Sequence, residues 1–235
     1  YYLFVYLIEA IILWLYCNRI FTSRKNTFLS LLITIGMFSL LIPVAILTNA
    51  ALNAFCSFIV YLCCIVLNYD SKPVWALFHA LALTILMALS EGLIAAAIPD
   101  ITIYAFRDGN IHSSAFTFVI LSKSVYLCIS QLVTRIFSKD TVNNASIRKS
   151  TLMLYLIPVM SSIITVSLGY ICLNGKLSGS DSVIVFICLV LLLSINILTF
   201  YLQQDISQKN VEYARLQIEL QKETDTEHYL SLIHI

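Results

Sequence analysis

Seven apolar runs dominate this chain, at residues 1–17, 28–47, 51–69, 74–98, 114–137, 152–173 and 182–202. Each is close to the ~20 residues that a helix needs to cross a bilayer. Polar punctuation separates them, as "NRIFTSRKN", "TNA", "YDSKP", "PDITIYAFRDGNIHS", "SKDTVNNASIRKS" and "NGKLSGSD". The chain is 60% hydrophobic and 11% charged, with a mean hydropathy of +0.89, against roughly 45–50% and about 25% in soluble domains. A soluble core of 235 residues has no room for that much apolar surface, so lipid is the expected solvent. The expected fold class is all-α integral membrane: about seven transmembrane helices, the second and third joined by a tight hairpin, then a charged cytoplasmic coiled-coil helix.

Net charge of +1 argues against nucleic acid as a partner. The seven cysteines (Cys17, Cys56, Cys63, Cys64, Cys128, Cys172, Cys188) lie in or beside apolar runs, with no C-x-x-C and no His at ligand spacing. They read as small hydrophobes rather than metal ligands. The chain starts at Tyr1 without Met and is already apolar, so an N-terminal piece is expected to be missing. No charged leader or small-residue cleavage site marks a signal peptide. P-loop, G-x-S-x-G, H-E-x-x-H and Gly-rich dinucleotide signatures are missing from the sequence, and no catalytic residue or cofactor is expected in this segment.

Basic residues are retained on the cytoplasmic side of short loops. The loops after the first, third and fifth runs, with their flanks, carry Arg19, Arg24, Lys25, Lys72, Arg135, Lys139, Arg148 and Lys149; those after the second, fourth and sixth carry Arg107 and Lys176. This asymmetry predicts a multi-pass plasma-membrane protein with its N-terminus outside and its C-terminus in the cytoplasm. Pro43 and Pro158 lie inside the second and sixth runs, where each removes a backbone hydrogen bond and bends its helix.

Ionisable side chains in a bilayer cost about 2.5–3.5 kcal/mol each on insertion scales. Glu9, Glu91 and Lys123 lie within apolar runs. Glu91 is ~10 Å below the outer end of the fourth run and Lys123 ~13 Å below that of the fifth, at 1.5 Å rise per residue. The two are expected to form an intramembrane ion pair, assisted by Ser90, Ser122 and Ser124. Glu9 is read as lacking a charged mate, protonated, and hydrogen-bonded near His79 or Gln131. In the long outer loop, Tyr104, Phe106, Arg107 and Asp108 form a candidate contact surface for a signal, although anchoring at the interface is the favoured reading of the two aromatics.

The last 33 residues, 203–235, hold nine of the 27 Asp, Glu, Lys and Arg residues. Leu202, Ile206, Lys209, Tyr213, Leu216 and Leu220 step by four and three, a heptad seam continuous with the last run, and Glu223 and Glu227 follow at core positions. Such a seam predicts a homodimer. The division expected is a polytopic sensor domain over 1–202 and a coiled-coil signalling helix over 203–230. The closing "SLIHI" is similar to translated adapter read-through, so residues 231–235 are set aside as sequence that need not be native.

A multi-span membrane block running directly into "YLQQDISQKNVEYARLQIELQKETDTEHYLSL" resembles the sensor region of AgrC-like peptide-pheromone receptor histidine kinases, the group with a GHKL-type ATPase domain. The resemblance implies quorum sensing through a two-component system. An extracellular peptide or small apolar ligand would be detected, and a dimeric helix would relay it to a kinase domain that uses ATP and Mg and phosphorylates a response regulator. The family's His-Asp phosphoacceptor motif is absent: His234 is followed by Ile235 rather than Asp. The alternatives are a membrane peptidase, for which His79 and Cys128 are the available pair, and a transporter-like subunit, for which no internal repeat is evident. Neither needs the charged tail.

Overall fold

The computed structural model describes residues 1–47, 50–98, 113–137, 156–174 and 179–233. The described residues are almost entirely helical. In chain order the elements are α1 (Tyr2–Ile20), β1 (Thr22–Ser23), α2 (Thr27–Ser39), α3 (Ile42–Ile46), α4 (Ala50–Asn68), β2 (Tyr69–Asp70), α5 (Pro73–Ala97), α6 (Ser113–Ile136), α7 (Leu156–Asn174) and α8 (Gly179–Ile233). Among the described residues, five helical stretches are long and apolar enough to cross a membrane: Tyr2–Ile20, Thr27–Ile46, Pro73–Ala97, Ala115–Ile136 and Ser180–Glu227. Leu52–Asn68 is a shorter apolar helix.

Local chemistry explains the helix boundaries. Proline at the start of α5 gives up only an N–H that the first turn leaves unpaired anyway. Pro43 does the opposite work in the second apolar run. It has no N–H to donate to the carbonyl of Ser39, so α2 stops at Ser39 and α3 restarts at Ile42 with the proline in its first turn. The expected bend is therefore a break. Pro158 lies in the first turn of the described part of α7.

Helix α5 is the hub. Sixteen of its 25 residues are buried, and it packs against α4, α6, α7 and α8. Alanines and Gly92 let these neighbours approach: a Cβ built on Gly92 would stand 3.2 Å from Leu189 Cδ1 of α8. The periphery carries the reverse pattern. Leu3, Phe28, Leu32, Ile46, Phe55, Ile163, Val183, Ile184, Leu191 and Leu198 are exposed, an apolar surface suited to lipid rather than water.

At one end of the bundle, the loops after α1 and α4 form a two-residue antiparallel clasp, pairing Thr22 with Asp70 and Ser23 with Tyr69. Arg24 adds a 3.2 Å ion pair to Asp70, and its backbone N–H donates to the Asn68 carbonyl at 2.9 Å. The ion pair is exposed and contributes little by itself. Below it, a buried polar chain joins three helices. Tyr69 Oη donates to Asn18 Oδ1 at 3.1 Å, Ser30 Oγ donates to Tyr69 Oη at 3.3 Å, and Asn68 Nδ2 donates to Thr34 Oγ1 at 3.3 Å.

Two glycines separate packing from helix propensity. Gly92→Leu should lower the thermal midpoint in detergent by overfilling the α5–α8 contact, at a cost of about 1–3 kcal/mol. Gly36→Leu, where a Cβ meets nothing within 4 Å, should hold or raise it, since leucine favours a helix over glycine by several tenths of a kcal/mol.

Candidate functional site

The most constrained chemistry in the molecule is a three-helix ionic cluster. Lys123 of α6 lies 2.5 Å from Glu9 Oε1 of α1 and 2.5 Å from Glu91 Oε1 of α5. Lys123 and Glu9 are essentially inaccessible, at 2% and 3%, whereas the Glu91 side chain is 40% exposed. Sequence depth thus brings Glu91 and Lys123 together as expected, but the pair is a triad.

The expectation for Glu9 needs correction. Its mate is Lys123, and neither His79 nor Gln131 serves it. The reason is geometric. Glu9 is eight residues from Tyr1, ~12 Å along α1 at 1.5 Å per residue, the same depth range as Glu91 and Lys123. The serines are corrected too. Ser90 donates to the Met87 carbonyl at 2.7 Å, Ser122 to Val119 at 3.2 Å and Ser124 to Ile120 at 2.6 Å. A serine hydroxyl one turn below a free lone pair on its own helix bonds there first.

His79 belongs to a separate, aromatic site. Its Nδ1 lies 2.8 Å from the Tyr16 hydroxyl. Trp75 stacks on it at 5.8 Å, and Phe21, Phe78 and Phe137 meet it edge-on at 5.1, 5.4 and 4.9 Å. The ring is fully buried, while Cys128 is exposed on α6. Gln131 keeps both amide atoms buried without a hydrogen-bond partner among the described residues.

The long helix α8 changes character along its length. Ser182 donates to the Ala96 carbonyl at 2.6 Å, and Asn196 Nδ2 donates to Ser161 Oγ at 2.5 Å. Thr199, Phe200, Gln203, Gln204 and Ser207 are also buried against the bundle, and Val211 makes the last packed contact with the main core. From Glu212 to Glu227 every residue is exposed. The heptad stripe lies largely outside the packing: Leu202, Tyr213, Leu216 and Leu220 are 40%, 63%, 53% and 61% exposed, and Ile206 is half-buried. Lys209 pairs instead with Asp205 at 2.8 Å, one turn back. That hydrogen bond and charge hold its ammonium above the ordinary lysine range.

The buried polar face of α8 was not anticipated from sequence; the signal was Asn196, Thr199, Gln203 and Ser207 at spacings of three and four. Tyr104, Phe106, Arg107 and Asp108 lie outside the described residues. No group of three or more His, Cys, Asp or Glu side chains is placed to hold a metal ion among the described residues.

Lys123→Met should destabilise the protein by roughly 3–5 kcal/mol, the usual result of stripping the partner from buried charge. The triple variant with Glu9→Gln and Glu91→Gln should regain most of that loss, measured as thermal midpoint in one detergent. Losses that simply add across the three sites would show that the groups are not coupled.

Comparison with protein-family models, with characterised proteins and with solved structures returns no match for this chain.

Proposed function

We propose that this chain is the membrane sensor portion of a two-component sensor histidine kinase. In this reading seven helices cross the plasma membrane, counting α2 with α3 as one and including α4 and α7, and the N-terminus lies outside. An extracellular peptide or small apolar ligand repacks the outer half of the bundle, and α8 carries the change to a kinase domain beyond this segment. The observation that supports it most is the continuity of α8: one helix of 55 residues packs inside the bundle and then runs fully exposed from Glu212 to Glu227.

The exposed stripe of Tyr213, Leu216 and Leu220 gives that helix a reason to pair. A lone helix in water gains nothing from an apolar seam, whereas two parallel copies bury it. Glu223 and Glu227 at the following core positions weaken the pair by repulsion, which leaves it responsive to a small push. The triad supports the same reading. It ties α1, α5 and α6 near the outer surface, so a ligand arriving there acts on packed helices rather than on a loose loop.

Three measurements test this. Reporter fusions after Asn110 should be active for an extracytoplasmic reporter and those after Asn143 inactive; reversed activities put the tail outside and sink the kinase reading. In a background without native cysteines, Leu216→Cys and Leu220→Cys should crosslink between chains far faster than Gln217→Cys or Gln221→Cys. With a kinase domain fused downstream, one residue inserted after Gln208 should change output, because it turns the rest of the helix by about 100°. A seven-residue insertion should preserve output, because the seam returns to phase. Equal output from both insertions would make the tail a passive tether.

A further inference from the structure

Two carboxylates and one ammonium do not balance. Fully ionised, the Glu9–Lys123–Glu91 cluster carries one net negative charge inside an apolar bundle, and intramembrane charge of this kind is retained only where something offsets it. We propose that the cluster is a proton-binding site, in which Glu9 and Glu91 share one exchangeable proton while Lys123 stays charged between them. The inference is independent of the signalling reading.

Three observations carry it. Both Oε1 atoms contact the same Nζ at 2.5 Å, which places the two oxygens at most about 5 Å apart, a spacing at which neighbouring carboxylates do not both ionise readily. Glu9 Oε2 is buried and has no hydrogen-bond partner among the described residues, so the charged form of that carboxylate has Lys123 on one oxygen and no donor on the other. Glu91, by contrast, is 40% exposed at the edge of the bundle, so of the two carboxylates it is the one from which a proton can leave the cluster.

Among the described residues the side chains around the cluster supply no second cation. From α1, Tyr1 and Tyr6 face the cluster, and Tyr6 spends its hydroxyl on Asn53 Oδ1 at 2.8 Å. Tyr61 of α4 and Tyr126 of α6 lie within electrostatic reach of Glu9. Helix α8 brings the apolar Leu189, which packs on Gly92 next to Glu91. The described buried face of α7 offers Ser161 and Thr165. Among these side chains Lys123 is the cation, and it is already shared. Release requires a water molecule that reaches Glu91 from the edge of the bundle and accepts the proton from the carboxyl O–H, and it leaves the cluster with the uncompensated charge. On uptake the three helices are held by a neutral group of matched hydrogen bonds.

Infrared spectroscopy of the full chain in lipid nanodiscs tests the proposal. Exposed Asp and Glu are ionised at about pH 6–8, so a carboxylic acid C=O band in that window reports a buried proton. The wild type should show a band equivalent to one carboxyl per chain, shifted by exchange into D2O. Glu91→Gln and Glu9→Gln should each abolish it, because the remaining carboxylate then balances Lys123. Lys123→Met should double it; if that variant does not fold, the two glutamine variants decide. A band that persists in Glu91→Gln would mean a proton private to Glu9, and no band in the wild type would mean no bound proton. Either result overturns the proposal. Spectra with sodium replaced by N-methylglucamine separate the remaining source of positive charge: a band unchanged by the exchange supports a proton, and one that appears only without sodium assigns the site to an alkali cation and overturns it.

Discussion

One ammonium group determines how the bundle is assembled. Lys123 is buried and needs a carboxylate partner, and because α1 and α5 each present one at its depth, the contacts fix the rotation and the height of both helices relative to α6. Helix α5 then carries a second fixed point. His79 lies twelve residues before Glu91, ~18 Å away along the helix axis, and its bond to Tyr16 ties α5 to α1 again. Two polar anchors on one pair of helices leave little freedom for sliding. Apolar packing alone would not do this, because leucine against leucine is nearly as favourable one turn out of register and lipid competes for the same surface.

The positions of the helices were legible in the sequence because the bilayer imposes a length, and the runs with their polar breaks print that length directly. Depth arithmetic also found Glu91 and Lys123. It failed for Glu9 only because α1 was not measured from the same face. What the sequence hides is smaller in scale. The Thr22–Ser23 and Tyr69–Asp70 clasp is two residues on each side, too short for any periodicity to register. Ser90, Ser122 and Ser124 turn back on their own helices, a preference that spacing cannot reveal. The stop at Ser39 and restart at Ile42 follow from Pro43, yet a kink and a break have the same signature in a string of letters.

Helix α8 shows why the usual reading of amphipathicity inverts here. Within the bundle it buries Ser182, Asn196, Thr199, Gln203, Gln204 and Ser207 and exposes Val183, Ile184, Leu191 and Leu198. Polar groups gain by facing protein partners when the alternative is lipid. Beyond Val211 the helix is exposed through Glu227 among the described residues, with the apolar stripe of Tyr213, Leu216 and Leu220 on its surface. The change from packed to exposed is written along one uninterrupted element.

That lack of interruption has a mechanical consequence. Glycine and proline are absent from α8 after Gly179, so nothing in its sequence provides a joint where the packed part meets the exposed part. The 22 residues from Glu212 to Ile233 extend ~33 Å as a stiff rod. A tilt of ~5° at the point of exit would carry the far end sideways by ~3 Å, about the width of a hydrogen bond. Displacements too small to disturb the packing around Gly92 and Leu189 are magnified along that length, and a rotation at one end arrives undiminished at the other.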